Sequence, residues 1–592
     1  MKYRKSNHRN IFELLLIFIS SIFCGWLFFL PAFWELTPHS SSTWEGLDQI
    51  FIHSPSHSKI LGGGIDHIGT IWMFSMVDAM LKGQQSTYVD LLYHPIGFDL
   101  GKNTGFAWAD AWVSWPIIQW LGTPQFYHLH LLCTIAFSMS GIALILRKCD
   151  VPILLAIALS MLSIMQPFVI TEFYEGRPTQ IYLLFHCLML YGVVSILQYM
   201  THQKSPLLPI LLSGIGLSGA CLTYWFGGVA IGFCAGCTVL LSLCHKRISQ
   251  KMIFLLGFSV LGIGVTLLIT WRISSQMLLG KGGSLFPVLN QKPLYEIDLW
   301  LIKIPIQEVT YLNDWHELYA IFIEKLSLSE GFLLFILLAF LLFPLTFRKN
   351  WVWGLTLFFA FGIPMTSAVT WNGGWLVTGH ALLESIFPPL TRCHVPERMV
   401  VAPILIGVIF GGLGIVEIKR RIIPVLQPCF VVLLSMVLFD VAWHERPQKE
   451  DVKFGSFGID ETLLKATNTW DGGIIDVPLL KSQQTYVQII YHKKPILGGP
   501  GLESVRPQNH RSYVNKNAFL RMVEGMAERG SNGTYTQKSL QKLYDDGFGI
   551  LAVHENLSRT KLDVYREMCN HQGIWDNRKK ILYLPLPKLE QP

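Results

Sequence analysis

The chain of 592 residues is 51% hydrophobic and 15% charged, with a formal net charge of +7 and a mean hydropathy of +0.40. A soluble domain carries about 25% charged residues, so this composition predicts an integral membrane protein. The positive charge sits in short clusters beside apolar runs and forms no separate basic face, which argues against nucleic acid as a partner.

Eleven apolar runs approach the roughly 20 residues that a helix needs to cross the hydrocarbon layer. They fall at about 11–33, 126–146, 151–170, 181–200, 206–222, 225–244, 252–271, 331–347, 351–371, 399–416 and 422–443. Lys and Arg near helix ends are retained on the cytoplasmic side. "MKYRKSNHR", "RKCD", "HQK", "HKRISQK", "FRKN" and "EIKRR" alternate along the chain so that all lie inside if the N-terminus is inside. Segments 34–125, 272–330, 372–398 and 444–592 then face the extracytoplasmic side. The first run lacks a small-residue cleavage site and reads as a retained anchor.

In the first outer loop, "LGGGIDHIGTIWMF" (61–74) runs glycines into Asp66 just before an apolar stretch. That is an N-cap signature, and a carboxylate held at a membrane surface is also placed to act as a general base on an acceptor hydroxyl. The two roles coexist. His67 is a neighbour that either assists or ligates a metal, although a lone histidine usually does neither. Residues 68–81 form a short apolar helix in which His67, Thr70 and Asp78 share a face, and "FAWADAWVSWPIIQWL" (106–121) adds four tryptophans, a residue favoured at headgroup level. Both segments are expected to lie in the interface, parallel to the membrane. Asp110 sits inside the second, where an unpaired carboxylate is costly.

Further on, "TEFYEGRPTQIYL" (171–183) places Glu172, Glu175 and Arg177 in an outer turn with Pro178 opening the next helix. A helix N-terminus with an adjacent guanidinium suits a phosphate; the plain alternative is that Arg177 pairs with Glu172 or Glu175. "WNGGWLVTGHALLE" offers Trp371, Trp375 and His380 for stacking or donor binding, against the commoner fate of buried packing. "PPLTRCHVPERMVV" (388–401) sets Arg392, His394 and Arg398 at the outer end of a span, opposite to the usual charge bias, which points to headgroup contact or a specific anion. Cys234 and Cys237 lie in an apolar run and read as packing, while Cys393 and Cys569 leave a bridge open.

From His444 the material changes. Apolar strands such as "GGIIDVPLL", "FGILAVHE" and "KILYLPLP" alternate with helix-compatible stretches such as "NAFLRMVEGMAERG" and "TQKSLQKLYDDG". This predicts an α/β or α+β domain over 444–592 resting on the outer loops of a transmembrane domain over 1–443.

The motifs "GGGIDHIGTIWMF", "YHPIGFDLG", "GTPQFYHLHLL", "EGRPTQIYL", "CHVPERMVV", "YVQIIYHKKPILGGPG" and "LYDDGFGILAVHE", in this layout, resemble the GT-C superfamily of membrane glycosyltransferases, in its bacterial polytopic branch. The resemblance implies a GT-C-like helical fold in the bacterial inner membrane and transfer, with inversion, of a sugar from a polyprenyl-phosphate carrier to a glycan, lipid or protein acceptor on the extracytoplasmic face. It puts Asp66 at the position of the catalytic acid and the carrier phosphate on Arg177, Arg392 and Arg398, with His67, Asp110, Glu175, His380 and His394 as further binding candidates. A single Asp stands where some families carry an acidic pair, so no cofactor is certain and a divalent cation (Mg or Mn) stays open. Such a site needs a base, phosphate clamps and alignment. The alternatives are a non-catalytic scaffold or assembly subunit with membrane-complex partners and, below that, a lipid or solute transporter, disfavoured because the runs hold few ionisable groups.

Overall fold

The computed structural model describes residues 4–34, 58–62, 66–100, 107–122, 126–202, 207–245, 295–299, 302–306, 309–312, 317, 320–341, 343–365, 368–371, 374–386, 396–446, 454–457, 460–478, 489–499, 507–529, 535–554, 559–569, 573–577 and 579–587. The body is built from helices α1 (Arg4–Trp34), α2 (Asp66–Leu81), α3 (Ala109–Leu121), α4 (Phe126–Lys148), α5 (Ile153–Ile164), α6 (Pro167–Tyr174), α7 (Pro178–Ile181), α8 (Leu184–His202), α9 (Leu207–His245), α10 (Glu330–Leu341), α11 (Phe343–Gly362), α12 (Gly379–Ile386), α13 (Val401–Arg421) and α14 (Gln427–His444).

Among the described residues five helical segments are long and apolar enough to cross a membrane: Phe126–Lys148, Pro178–Gln198, Leu207–Ser242, Glu397–Arg421 and Pro424–His444. The α5–α6 pair, bent by 60°, passes the same test when its two helices are taken together, as a broken span or a re-entrant loop would. The predicted runs 206–222 and 225–244 are the two halves of α9, two helices that meet at Tyr224, where the backbone leaves helical geometry; Gly228 lies against Ala220 and Cys221 and Gly232 against Leu217, so the chain doubles back there. Run 252–271 lies outside the described residues. The runs starting at 11, 331 and 351 coincide with shorter apolar helices.

Each break in these helices is compensated locally, as buried backbone requires. At the α5–α6 bend, Gln166 donates to the Leu162 carbonyl (2.7 Å) and accepts from the Ser329 N–H (3.0 Å). At the α9 kink the Leu222 and Thr223 carbonyls accept from the N–H groups of Trp108 and Ala107 (3.0 and 2.8 Å). The break in α9 is thereby the anchor for the start of α3.

The body has chemically distinct ends. Arg147 and Lys148 close α4, and Lys419, Arg420 and Arg421 close α13. These ends meet: Arg420 lies 3.9 Å from Asp150, and Arg147 pairs with Glu13 at 2.8 Å. The basic ends of α4 and α13, far apart in the sequence, therefore lie together, and the first turn of α2 meets the 175–177 turn.

Strands β1 (Ser58–Leu61), β2 (Tyr88–Val89) and β3 (Phe98–Asp99) come from the first loop, and β4 (Tyr295–Leu299), β5 (Ile302–Ile306), β6 (Val309–Leu312), β7 (Ala368–Trp371) and β8 (Gly374–Val377) from later ones. The tail supplies β9 (Phe454–Phe457), β10 (Gly473–Val477), β11 (Phe548–His554), β12 (Ile574–Asp576) and β13 (Ile581–Pro585), with helices α15 (Glu461–Thr469), α16 (Ile489–His492), α17 (Gln508–Lys516), α18 (Ala518–Arg529), α19 (Gln537–Asp545) and α20 (Arg559–Met568). Four of its strands form one sheet in the order β10–β11–β13–β12, with β10 and β11 parallel and the others antiparallel.

All seven residues of β11 are buried, so the sheet is covered on both faces. With a two-residue period, Ile475, Val477, Leu551, Val553, Leu582 and Leu584 face one way and pack with Phe519, Leu520, Val523, Leu540 and Leu543. The opposite face, with Ile474, Ile550, Ala552, Ile581 and Tyr583, joins the same core cluster as the body. A polar set is enclosed there: His554 Nε2 lies 3.0 Å from the Asp476 carboxylate, and Asp460 accepts from Lys579 (2.8 Å) and from the Tyr583 hydroxyl (3.2 Å). The sequence pattern offered no sign of this set, because Asp476 and His554 stand among apolar strand residues that read as core.

The first loop is sewn to the tail by backbone. β1 pairs antiparallel with β9 from Ser58↔Phe457 to Leu61↔Phe454. Residues 495–497 bond to β10 on one side, through Ile474 N–H to Pro495 O (2.8 Å) and Leu497 N–H to Ile474 O (2.9 Å). On the other side Ile496 donates to Leu91 O (2.8 Å), Tyr93 to Gly498 O (2.8 Å) and His94 to Ile496 O (3.0 Å). Gly499 lies against the Tyr93 ring, and any Cβ there would overlap it. Gly499→Val is expected to destabilise this junction by about 1–3 kcal/mol, as overpacking does. Limited proteolysis should then cut the segment around Tyr93 faster than in the unmodified chain, with cleavage at the buried strand β11 unchanged.

Candidate functional site

The helix α2 begins at Asp66, as the Gly-rich approach predicts; the side chains of Asp66 and His67 lie outside the described residues. One turn on, the Thr70 hydroxyl donates to the Gly176 carbonyl at 3.2 Å. Gly176 has φ +76°, the left-handed region that glycine adopts without strain, and it lets the chain reverse between α6 and α7. The turn that carries Glu175 and Arg177 is therefore held against the first turn of the helix that Asp66 opens. Residues over a hundred positions apart in the sequence share one small area.

Within that turn Arg177 pairs with the buried Glu172 carboxylate, at 3.2 and 3.4 Å to its two oxygens. Glu175 ends α6 and is half-buried. Pro178 stands in the first turn of α7, as predicted. At its far end, α2 is tied to α3 by Asp78, which accepts from Trp115 Nε1 (3.0 Å), from Gln119 Nε2 and from Lys82 Nζ (2.8 Å). The two Trp-rich and apolar loop helices are thus one unit. Trp112 and Trp120 stay exposed on it, at 40% and 76%, which suits headgroup contact, whereas Trp108 is buried.

Asp110 is fully buried near the start of α3, and neither carboxylate oxygen makes a hydrogen bond of normal geometry to a described residue. Burial pushes its pKa up to about 8; the nearby N–H groups of Asp110 and Ala111 offset this only in part. Ser114, one turn along the same face, pairs with His130 Nδ1 at 2.7 Å. The His130 ring lies 6.2 Å from the Tyr182 ring, nearly parallel to it, and 4.7 Å from Phe74. The Tyr182 phenol in turn lies within electrostatic range of Asp110. Asp110, Ser114, His130 and Tyr182 therefore form one neighbourhood of buried polar groups inside the body. With His130 and His186 buried in spans, those spans are less poor in ionisable groups than their hydropathy implies.

The remaining candidates are spread out. His380 is buried in α12, with Nδ1 3.0 Å from the Ile363 carbonyl; burial pushes its pKa down, which favours the neutral imidazole. Glu384, on the same helix and missed by the sequence pattern, is buried and pushed up to about 7. Arg398 lies half-buried in the single turn Pro396–Val400 that leads into α13. Arg392 and His394 lie outside the described residues, as do the side chains of Trp371 and Trp375. Cys569 is a buried free thiol, and Cys393 is outside the described residues. Among the described residues no group of three or more His, Cys, Asp or Glu is arranged to hold a metal ion.

No family model matches the chain, and no curated protein matches it. Among solved structures it is similar to the crystal structure of the Archaeoglobus fulgidus oligosaccharyltransferase, in complex with Zn and sulfate, at a TM-score of 0.46 and 9% identity, over 97% of this chain and 73% of that one.

The raised pKa of Asp110 has a definite sign in stability. Folded Asp110 holds its proton up to about pH 8, whereas the unfolded carboxyl releases it near 3.8. Between these values the folded state binds more protons, so stability should fall as pH rises through that window. Thermal unfolding of the detergent-solubilised chain across it should show this slope, and Asp110→Asn should flatten it.

Proposed function

We propose that this chain is a membrane glycosyltransferase of the GT-C type that moves a sugar from a polyprenyl-phosphate carrier to an acceptor hydroxyl on the extracytoplasmic face. The observation that carries this reading is the Thr70–Gly176 hydrogen bond at 3.2 Å, which holds the helix opened by Asp66 against the turn that bears Arg177. An acid and a phosphate-binding cation are the two groups the reaction asks for.

In this reaction the acceptor oxygen attacks the anomeric carbon from the face opposite the carrier. The bond from that carbon to the phosphate oxygen breaks, and the phosphate leaves with the bonding electrons, so that configuration inverts. The acceptor proton passes to the Asp66 carboxylate. Arg177 and Arg398, with Arg392 and His394, hold the carrier phosphate, and His67, Asp110, Glu175 and His380 contact the substrates.

The reading also takes the chain as eleven spans with the N-terminus inside, residues 1–443 as the transmembrane domain and 444–592 as an extracytoplasmic domain. Supporting this orientation, the basic ends of α4 and α13 share one end of the bundle with Glu13. A second reading, a non-catalytic scaffold, is favoured by the existing Arg177–Glu172 ion pair, which already satisfies the arginine.

The two are separated by assaying membranes for transfer from polyprenyl-phosphate sugars. Asp66→Asn should lower the rate by about 10²–10⁴-fold, the usual contribution of a general base, at unchanged expression. Arg177→Ala should raise the carrier concentration needed for half-maximal rate. Undiminished transfer in Asp66→Asn would remove that residue as the base, and a wild-type chain with no transfer from any such donor would leave the scaffold.

A further inference from the structure

The neighbourhood formed by Asp110, Ser114, His130 and Tyr182 sits where three interruptions of helix meet. α3 starts there, α7 gives way to α8 at Tyr182 (φ −78°, ψ 83°), and α9 kinks at Tyr224 (φ −150°, ψ 97°). The first and third are tied together by the Ala107 and Trp108 hydrogen bonds to Thr223 and Leu222. Irregular backbone at membrane depth is tolerated where it is enclosed by protein or lines a cavity, and broken helices often mark the place where a ligand binds.

The polar atoms here are left without partners among the described residues. Both oxygens of Asp110, Nε2 of His130, the Tyr182 hydroxyl and the Thr223 hydroxyl are buried and make no hydrogen bond. Each such group is destabilising when left unsatisfied, and a core filled for stability alone would hold apolar side chains instead. Five such atoms on elements that meet at one junction call for a partner that both donates and accepts hydrogen bonds.

We propose that this junction is a binding site for the hydroxyl groups of a neutral sugar ring. The chemistry of the set favours hydroxyls: a carboxyl, a phenol, an aliphatic hydroxyl and an imidazole whose other nitrogen is held by Ser114. The aromatic faces of Tyr182 and Phe74 beside His130 supply apolar walls for the C–H face of a ring. Burial keeps Asp110 protonated at neutral pH, so it both donates to one hydroxyl and accepts from another, as a buried carboxylic acid does. The choice of a sugar among polyols rests on the glycosyl-transfer reading; the existence of a hydroxyl site does not.

The experiment uses the full chain in lipid nanodiscs and difference infrared spectroscopy with methyl hexosides as the probe. A buried protonated carboxyl gives a C=O stretch separate from the amide bands. Saturable displacement of that band by a methyl hexoside is the expected result, with the band absent from Asp110→Asn and the apparent affinity weakened about fivefold in Tyr182→Phe, the value of one hydrogen bond near 1 kcal/mol. Asp66→Asn should keep the wild-type response even when it loses transfer, so failure of the base assignment and failure of this site are distinguishable. Displacement by glycerol but by no hexoside would leave a polyol site and sink the sugar assignment. A band that moves only on exchange into D₂O would show that water alone fills the junction and overturn the proposal. Should Asp110→Asn fail to give a monodisperse protein, Tyr182→Phe and Ser114→Ala carry the test: an unaltered affinity in both overturns it.

Discussion

The arrangement depends on a short run of backbone, residues 495–498, which bonds to β10 on one side and to residues 91–94 of the first loop on the other. A sheet edge leaves a row of unpaired N–H and C=O groups that must find partners when buried. Here the partners come from a loop some four hundred residues away. Once Tyr93 and His94 are fixed on that edge, His94 Nε2 reaches the Asp546 carbonyl at 2.6 Å and its ring packs on Phe548. The loop helices α2 and α3, joined by Asp78, are then held between the tail sheet and the helical body.

The same rule works inside the body with the opposite outcome. Where a helix breaks at Gln166 or Tyr224, side chains or neighbouring N–H groups satisfy the freed backbone. At Asp110 the side-chain groups stay unsatisfied although the backbone does not. Spans that spend polar groups so sparingly elsewhere concentrate them at one junction, and the energetic cost of that concentration is the reason to connect it with a ligand.

Much of the body was legible in the sequence because a membrane helix must satisfy its own backbone, which turns hydropathy and length into structure. The apolar runs at 126, 181, 399 and 422 each fall on a long helix. The place of Pro178 in the first turn of α7 followed from capping chemistry. The burial cost of Asp110 was also readable, since a carboxylate among tryptophans has few ways to be solvated. Less was legible where one residue decided the path. The bend at 165–166 depends on Gln166 finding Ser329, and the break between the two runs of α9 is held by donors from the start of α3. Neither partner is near in sequence.

The sequence by itself determined the membrane class, the position of most long apolar helices, the alternation of strands and helices in the tail and the acid that opens α2. Local chemistry suffices for these, because capping, hydropathy and strand periodicity act over a few residues. Only the tertiary structure decided that the Arg177 turn touches the Asp66 helix, that Arg177 is held by Glu172, that the first loop pairs with the tail, and that Asp110, His130 and Tyr182 meet. Those contacts join segments tens to hundreds of residues apart, and no local preference specifies which distant N–H, carbonyl or carboxylate will answer another.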